Sequence, residues 1–301
     1  MHATFRQLQL MLALAETGSV TGAARHCHVT QPTASMQLKE LSDAIGLPLY
    51  ERVGQRLHLT QAGEAAAQTA RAIAAEWETL EQRVAALKGV SQGRLRIALA
   101  STAKYFIPRM LGRFCAEHPG VDVALQVLNR DGVVQRLLAN EDDLYILSIP
   151  PRNVPHDRQV LLGNPLVVIA AHDHPLAARR RVRLDQLVKE PFILRETGSG
   201  TRQATEEHFK ALGFAPRVRL ELGSNEAIKQ SVAARMGLGL VSRHALAADP
   251  ASEGVAILRA ERMPVPSSWY VLWPQGKRLS PIAETFLRQL LQQARGWEVH
   301  S

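Results

Sequence analysis

The sequence GSVTGAARHCHVTQPTAS, at residues 18–35, carries the local signals of two short helices joined by a tight turn. Thr21 is a candidate N-cap for a helix through residues 23–25, whose small side chains allow close packing. Thr30 before Gln31 and Pro32 predicts the start of the next helix. Proline is tolerated in the first turn, because the N–H groups of that turn have no partner within the helix. Two helices joined in this way are the pattern of a DNA-binding helix-turn-helix.

Helices are also predicted on both sides of this turn. Upstream, Thr4 and Gln7 form a capping-box pattern that predicts a helix from Phe5 to a stop at Gly18. Phe5, Leu8, Leu12 and Ala15 should share one face of this helix, because they recur at helical spacing. The helix that begins at Gln31 should end at Gly46, with an inner face made of Ala34, Leu38, Leu41 and Ile45.

The polar start of the second helix is the candidate DNA-contacting surface, because that end of a helix-turn-helix enters the major groove. Glutamine can bond an adenine edge with two hydrogen bonds, and hydroxyls can hold phosphate. Residues 50–60 predict a small hairpin that turns at Gly54-Gln55 and presents two arginines. The candidate DNA-binding residues are Gln31, Pro32, Thr33, Ser35, Gln37, Lys39, Arg52 and Arg56. Helix spacing alone leaves a three-helix bundle with a solvated third helix as an open alternative.

Bulk charge does not make the case for nucleic acid. Residues 1–90 contain eight Lys and Arg against eight Asp and Glu, so the whole net charge of +8 lies beyond residue 90. The argument for DNA therefore depends on geometry. Two distant cysteines, no secretory signal and no apolar run near the ~20 residues of a bilayer span predict a cytoplasmic protein with no membrane partner.

Residues 61–88 predict a long helix that pairs with another chain. They contain no proline, and their apolar side chains recur at alternating spacings of three and four. Packing on its own domain is the alternative, but a helix that bridges two regions has little of its own chain to lie against. The predicted seam consists of Ala66, Ala70, Ile73, Trp77, Leu80, Val84 and Leu87.

Beyond residue 90, alternating strands and helices predict two α/β lobes, each with a parallel, doubly wound sheet. Polar residues follow three of the predicted strands, where helix N-termini favour an anion and glycines permit close approach. The candidate effector-binding residues are Ser101, Thr102, Thr197, Gly198, Ser199, Gly200, Thr201, Arg202 and Asn225. Ordinary helix capping is the alternative for each hydroxyl. We expect a small anionic effector of unknown identity, and no cofactor, metal or catalytic residue.

The motifs GSVTGAAR at 18–25, VTQPTAS at 29–35, GLPLY at 46–50 and LTQAG at 59–63 together resemble the LysR-type transcriptional regulators. The resemblance implies three parts: a winged helix-turn-helix at 1–60, a dimerisation helix at 61–90 and an effector domain at 91–301 similar to a periplasmic binding protein. Lobe I would span about 91–162 and 269–301, and lobe II about 163–268. The protein would be a dimer or tetramer that binds double-stranded DNA, with RNA polymerase as a further partner.

Two motifs indicate a subgroup of this family, and two other classes of protein are alternatives. TAKYFIP at 102–108 and GSGTR at 198–202 are similar to regulators of Calvin-cycle carbon-fixation operons, and a phosphorylated metabolite would suit the basic C-terminal part. A solute-binding protein is the first alternative, against which the N-terminal helices argue. An α/β enzyme that uses Ser199 or the histidines is the second, although no nucleophile–base set is visible. The basic cluster at 179–183 is predicted to be a solvated loop.

Overall fold

The computed structural model describes residues 2–53, 56–87 and 92–297. The chain divides into an N-terminal unit, residues 1–88 with 139–141, and a C-terminal unit formed by the remainder. The elements of the N-terminal unit are α1 (Phe5–Thr17), α2 (Val20–His26), α3 (Gln31–Ile45), the hairpin strands β1 (Tyr50–Val53) and β2 (Arg56–Leu59), and α4 (Gln61–Leu87). The predicted hairpin turn at Gly54-Gln55 lies outside the described residues.

The predicted starts of α1 and α3 are confirmed, whereas α2 begins two residues earlier than expected. Thr4 and Gln7 make a reciprocal capping box, and the Thr30 hydroxyl accepts a hydrogen bond from the backbone N–H of Thr33. The cap of α2 is Ser19, whose hydroxyl accepts from the N–H of Gly22 at 3.0 Å. Ser19 has the extended backbone that an N-cap requires, so the predicted cap, Thr21, falls inside the first turn.

The face of α1 that carries Phe5, Leu8, Leu12 and Ala15 is not its most buried side. Phe5 is 39% exposed, and Leu8, Leu12 and Ala15 are only partly buried. The side of α1 that packs on α2 and α3 carries Leu10, Met11 and Leu14 instead. The phenyl ring of Phe5 lies 5.6 Å from the indole of Trp77 on α4, so the predicted face is turned toward α4. The inner face of α3 is confirmed for Ala34, Leu38 and Leu41, which are fully buried.

The C-terminal unit contains two five-stranded sheets, which we call lobe I and lobe II. Lobe I has the strand order β4-β3-β5-β12-β6, and lobe II has β11-β7-β10-β8-β9. The strands are β3 (Gly93–Ala100), β4 (Val121–Leu128), β5 (Leu144–Leu147), β6 (His156–Gly163), β7 (Leu166–Ala171), β8 (Pro191–Arg195), β9 (Arg217–Leu222), β10 (Leu238–Ser242), β11 (Val255–Ile257) and β12 (Ser268–Pro274). The helices are α5 (Ile107–Glu117), α6 (Arg130–Leu138), α7 (Leu184–Leu187), α8 (Gly200–Ala211), α9 (Asn225–Ala233) and α10 (Pro281–Arg295).

Both sheets are mixed rather than wholly parallel, which corrects the prediction. The expected parallel pairs are present: β3 pairs with β4 and β5, and β8 pairs with β9 and β10. The antiparallel strands arise where the chain passes between the lobes, after β6 and again before β12. The two passages run side by side, because Asn164 donates its N–H to the carbonyl of Ser267 at 2.8 Å and Leu166 forms an antiparallel bridge with Val265. Strand β6 was not predicted.

Neither a membrane-spanning helix nor a metal-binding group of side chains is present in the described part of the chain. No helix within it is long and apolar enough to cross a membrane. Nor do any three of its His, Cys, Asp and Glu side chains lie close enough together to hold a metal ion.

Candidate DNA-binding and effector-binding sites

Three of the predicted DNA contacts lie on one exposed face of α3. Gln31, Ser35 and Lys39 are spaced four residues apart, which places them in a row along the helix. Gln31 and Lys39 are exposed and Ser35 is half-buried, and within the described chain the side chains of Gln31 and Ser35 make no hydrogen bond. Their polar groups are therefore available to a partner. Pro32 is exposed in the first turn beside them.

The other two polar residues of this helix start are engaged within the protein. The Thr33 hydroxyl lies 2.8 Å from the hydroxyl of Thr30, so it belongs to the helix cap. The amide of Gln37 donates to the Glu40 carboxylate at 3.1 Å, and the same oxygen accepts a hydrogen bond from the buried amide of Gln7. Base contact by Gln37 would require this bond to open.

The hairpin after α3 presents Arg52 on its first strand. Arg52 is exposed, and its backbone is in register with Leu57 on β2. The backbone of Arg56 forms the start of β2, but its side chain lies outside the described residues. The strand register places Arg52 in the hairpin that follows α3, and its contact with the phosphate backbone stays a prediction.

Helix α4 has 27 residues, roughly 40 Å at 1.5 Å per residue, and leaves most of its predicted seam uncovered. Ile73, Trp77, Leu80 and Val84 are 41%, 52%, 49% and 41% exposed. Of the other seam residues, Ala70 is buried, Ala66 is partly buried and the side chain of Leu87 lies outside the described residues. Isolated apolar side chains are common on surfaces, but four of them in one row are typical of an interaction face.

The centre of the candidate effector site is a residue that the sequence did not single out, Arg195. Its guanidinium, at the end of β8 in lobe II, is 2% exposed. Its Nη2 donates to the Ser101 hydroxyl at 3.2 Å, and its Nη1 donates to the Thr102 hydroxyl at 3.4 Å and to the side-chain oxygen Oδ1 of Asn225 at 3.3 Å. Arg195 thus joins residues after a lobe I strand to a helix N-terminus of lobe II.

The hydrogen bonds around Arg195 leave donors for a further group. The Glu196 carboxylate accepts from Nε at 2.7 Å and from Nη2 at 2.9 Å, which neutralises the buried charge. The Thr102 oxygen accepts from Arg195 and also from the Asn225 amide at 3.2 Å. Because the oxygens of Ser101 and Thr102 accept from a cation, their hydroxyl protons point elsewhere and are polarised toward an acceptor.

The loop before α8 supplies further donors. Ser199 is the N-cap residue of α8, yet within the described chain its hydroxyl makes no capping hydrogen bond to the helix. Ordinary capping therefore does not explain Ser199, whereas it does explain Ser224, whose hydroxyl accepts from the N–H of Ala227 at 3.1 Å. The first N–H groups of a helix have no partner within the helix and carry a partial positive charge.

The two glycines of this loop bring it against lobe I. Gly198 has a φ of +86°, and its carbonyl accepts a hydrogen bond from the N–H of Asp131 at 3.2 Å. A Cβ on Gly200 would lie 2.9 Å from the Ser148 hydroxyl oxygen. The glycines thus let the loop approach lobe I, which brings the start of α8 next to Ser148. Their close approach to an anion stays a prediction.

The remaining predicted effector residues, Thr197, Thr201 and Arg202, have different surroundings. Thr201 is 5% exposed in the first turn of α8. The N–H of Thr197 donates to the Glu221 carboxylate at 3.1 Å. Arg202 pairs with Glu221 at 3.3 Å and with Glu206, and its Nη1 donates to the Arg195 carbonyl at 3.1 Å. The guanidinium of Arg202 is thus not joined to Ser101, Thr102 and Asn225, and it supports the strand that holds Arg195.

A second bridge between the lobes lies beside this cluster. Lys104 donates to the Glu226 carboxylate at 3.0 Å, and the Tyr105 hydroxyl donates to its other oxygen. Burial and the hydrogen bond with Glu226 raise the pKa of Tyr105 above its ordinary value, so the hydroxyl keeps its proton. Burial would raise the pKa of Glu226, but the hydrogen bonds from Tyr105 and Lys104 outweigh burial and lower it.

The chain combines a winged helix-turn-helix, a long helix with an open apolar seam and a two-lobed α/β unit with a buried polar cluster. These features define a class of protein, the DNA-binding transcriptional regulators that respond to a ligand. Residues 5–64 match the model of the bacterial regulatory helix-turn-helix protein, lysR family, and residues 88–295 match the LysR substrate binding domain. The chain belongs to the LysR family of transcriptional regulators.

Similar proteins place the chain near the regulators of carbon fixation. It is 43% identical to the transcriptional activator CmpR of Synechocystis, over 96% of this chain and 95% of that protein. It is 44% identical to a RuBisCO operon transcriptional regulator of Acidithiobacillus ferrooxidans, over 96% and 94%. The likeness to the carbon-fixation subgroup is thereby confirmed. Because these relatives are transcriptional regulators, the alternatives of an enzyme and of a solute-binding protein are set aside.

Solved structures support the same assignment. The regulatory domain of Synechocystis CcmR, in complex with 2-PG (2-phosphoglycolate), is 48% identical, with a TM-score of 0.66, and covers 68% of this chain and 98% of that chain. A full-length OxyR variant of Pseudomonas aeruginosa has a TM-score of 0.75 at 21% identity, over 99% of this chain and 97% of that chain, and so shares the fold. The predicted fold class, a helical DNA-binding part and a two-lobed α/β part, is confirmed.

Proposed function

We propose that the chain regulates a carbon-fixation operon and that a small phosphorylated carboxylate, of the kind represented by 2-phosphoglycolate, controls its activity. The observation that carries the proposal is the buried Arg195 that joins Ser101, Thr102 and Asn225 across the lobes. The relatives named for RuBisCO operons and the CcmR regulatory domain with 2-PG supply the class of gene and of ligand.

In this proposal the anion lies between the lobes and is held mainly by hydrogen-bond donors. The hydroxyls of Ser101 and Thr102 donate from lobe I, and Arg195 polarises them. The N–H groups at the start of α8, with the hydroxyls of Ser199 and Thr201, donate from lobe II. Such charge-assisted hydrogen bonds are about twice as strong as neutral ones, which favours a phosphate or carboxylate over a neutral ligand. The loop before α8 takes its shape from Thr197, Gly198 and Gly200. Arg202 holds the backbone of Arg195 through a hydrogen bond to its carbonyl.

We propose that DNA is read by the start of α3. Gln31 and Ser35 contact base edges, Lys39 contacts phosphate, and Pro32, Thr33 and Gln37 line the same surface. Arg52 and Arg56 position the wing on the backbone and carry no base specificity.

We propose that α4 pairs with α4 of a second copy through Ile73, Trp77, Leu80 and Val84, with Ala66, Ala70 and Leu87 at the ends of the seam. A dimer, or a tetramer built from dimers, then offers two recognition helices to two half-sites. RNA polymerase is the proposed partner at the promoter. Because chromosomal DNA is the target, the proposed site of action is the cytoplasm. The proposed functional boundaries are 1–60, 61–90 and 91–301, with lobe II at about 163–268.

A gel-shift and footprinting experiment on the DNA upstream of the chain's own gene tests the proposed function. We expect the full chain to protect two half-sites and the pattern to change when 2-phosphoglycolate is added. Glycolate and inorganic phosphate, each of which has only half of the ligand's charged groups, are the controls and should leave the pattern unchanged. Protection that ignores 2-phosphoglycolate would contradict the proposed effector, and a lack of protection would contradict the proposed target.

A further inference from the structure

Lobe II carries a basic surface that neither the effector site nor the helix-turn-helix uses. It is built from two segments, 179–183 and 259–262. Val182 forms a parallel bridge with Ala260, donates its N–H to the Arg259 carbonyl at 3.0 Å and accepts the N–H of Glu261 at 2.9 Å. These bonds hold the two segments side by side. We call the surface the arginine patch; its members are Arg179, Arg180, Arg181, Arg183, Arg259 and Arg262.

The patch has more positive charge than its neighbours neutralise. All six arginines are exposed. Arg181 pairs with Glu261 at 2.9 Å while 77% exposed, and Arg183 pairs with Asp185. In the described part of the chain, the other four side chains have no hydrogen-bond or ion-pair partner. Like charges held this close repel one another, so an anionic partner would stabilise the surface. A solvated loop would explain why these side chains are exposed, but not why six of them are arginines.

The composition of the patch favours a phosphate backbone over a protein as the partner. Among the large apolar side chains of the two segments and their flanks, Leu176, Val182 and Leu258 are at most 7% exposed. Leu184 and Met263 are partly buried and pack against the same core of lobe II. The patch thus has no apolar centre of the kind that protein–protein interfaces have. Contact with a nucleic-acid backbone needs only cations, and guanidinium groups bind phosphate with paired hydrogen bonds.

The length of the patch favours a polymer over a small anion. An extended chain advances about 3.3 Å per residue, so Arg179 and Arg183 are up to ~13 Å apart. Double-stranded DNA carries one charge per ≈ 1.7 Å of helix axis, so a stretch of that length presents several phosphates. A single phosphate ion would engage only part of the patch.

We propose that the arginine patch binds the phosphate backbone of double-stranded DNA that flanks the sequence read by the helix-turn-helix. The contact is independent of base sequence. The N-terminal unit holds the chain on its target, so the flanking DNA is present at a high effective concentration and a weak contact suffices. The net charge of +8, which lies wholly beyond residue 90, would favour this contact with DNA.

The test compares two triple variants of the full chain. The patch variant is Arg179→Gln, Arg180→Gln and Arg259→Gln. The matched control is Arg152→Gln, Arg278→Gln and Arg288→Gln, three exposed arginines of lobe I that lose the same charge. The DNA is a duplex selected from random sequence by the wild-type protein, used as the protected core alone and with flanks of about 20 base pairs, roughly two helical turns. Fluorescence anisotropy gives the affinity of each protein as salt is varied.

We expect flanks to tighten binding by the wild type and by the control, and to steepen their dependence on salt. The patch variant should bind the bare core normally, gain nothing from flanks and show a log–log salt slope lower by about 2–3 units on the flanked duplex, near 0.9 per phosphate contact. Equal behaviour of patch variant and wild type would overturn the proposal. So would normal flank binding combined with a loss of transcription by purified RNA polymerase, which would assign the patch to a protein partner.

Discussion

At the scale of single residues, Gly63 controls how α4 joins the DNA-binding unit. It lies in the first turn of α4, directly against the backbone of the segment that leads into the hairpin. A Cβ at this position would be 1.8 Å from the Leu49 carbonyl oxygen, and backbone cannot move aside as a side chain can. The LTQAG motif thus ends in glycine because two backbones touch there.

We predict that Gly63→Ala destabilises the N-terminal unit by about 1–3 kcal/mol, the range for overpacked sites. Gly112→Ala is the control, because Gly112 is also helical and has no atom within 4 Å of a new Cβ. That change should be neutral or stabilise α5 by up to ~1 kcal/mol, since alanine is the better helix former. Urea unfolding followed by circular dichroism measures both variants. Unchanged stability of Gly63→Ala would show that the contact with Leu49 does not require glycine at this position.

Gln31 and Ser35 are the residues on which the proposed base recognition depends. Each substitution to alanine should weaken specific binding by about 1–3 kcal/mol, the usual value of a good base contact. Ser42→Ala on the same helix is the control, because its hydroxyl donates to the Leu38 carbonyl at 3.0 Å. Competition anisotropy against unrelated DNA measures the effect. Operator affinity that survives both substitutions would move base recognition to another surface.

Residue roles were predictable where the signal was local. Thr4, Thr30 and Gly46 act on neighbours in sequence, and each caps its helix as predicted. Arg195 could not be found in this way, since its partners Ser101 and Asn225 are 94 and 30 residues away. Its local surroundings, a charged pair at the end of a strand, would ordinarily predict a solvated turn.

Among the elements, α4 shows that the spacing of apolar residues predicts a helix but does not identify what covers its apolar side. Its heptad spacing predicted the helix, and its seam is exposed by 41% to 52% at Ile73, Trp77, Leu80 and Val84. The same kind of spacing marked one apolar face of α1, whereas the buried residues Leu10, Met11 and Leu14 lie on another side. A period shows that a helix has an apolar side, but the surrounding elements determine which side they cover.

We predict that Leu80→Asp breaks the assembly, because it would bury an unpaired charge in the seam between two α4 helices. Ala65→Asp adds the same charge at an exposed position of α4 off the seam and should leave the assembly intact. Sedimentation velocity at several concentrations distinguishes the two variants. An unaltered oligomer for Leu80→Asp would exclude this seam as the main contact.

At the scale of the whole molecule, two lobes and a DNA-binding unit divide recognition between ligand and operator. The alternation of strands and helices predicted the lobes, but not that each sheet is mixed. The sheets are mixed because the chain passes between the lobes twice, near Asn164 and near Val265. The two passages are far apart in sequence, and they pair through the hydrogen bond from Asn164 to Ser267 and the bridge between Leu166 and Val265. The contact between Arg195 and the hydroxyls of lobe I has the same origin, so the centre of the site appears only once both lobes are folded.

Calorimetric titration of the full chain with 2-phosphoglycolate is the sharpest test of the proposed effector site. We predict that the wild type binds and that Thr102→Val and Ser199→Ala each weaken binding roughly 10-fold or more, as expected for the loss of a hydrogen bond to a charged group. Arg152→Gln, exposed on lobe I, should bind like the wild type, and all three variants should keep basal DNA binding. Wild-type affinity in both Thr102→Val and Ser199→Ala, or no binding by the wild type, would contradict the assignment of this site.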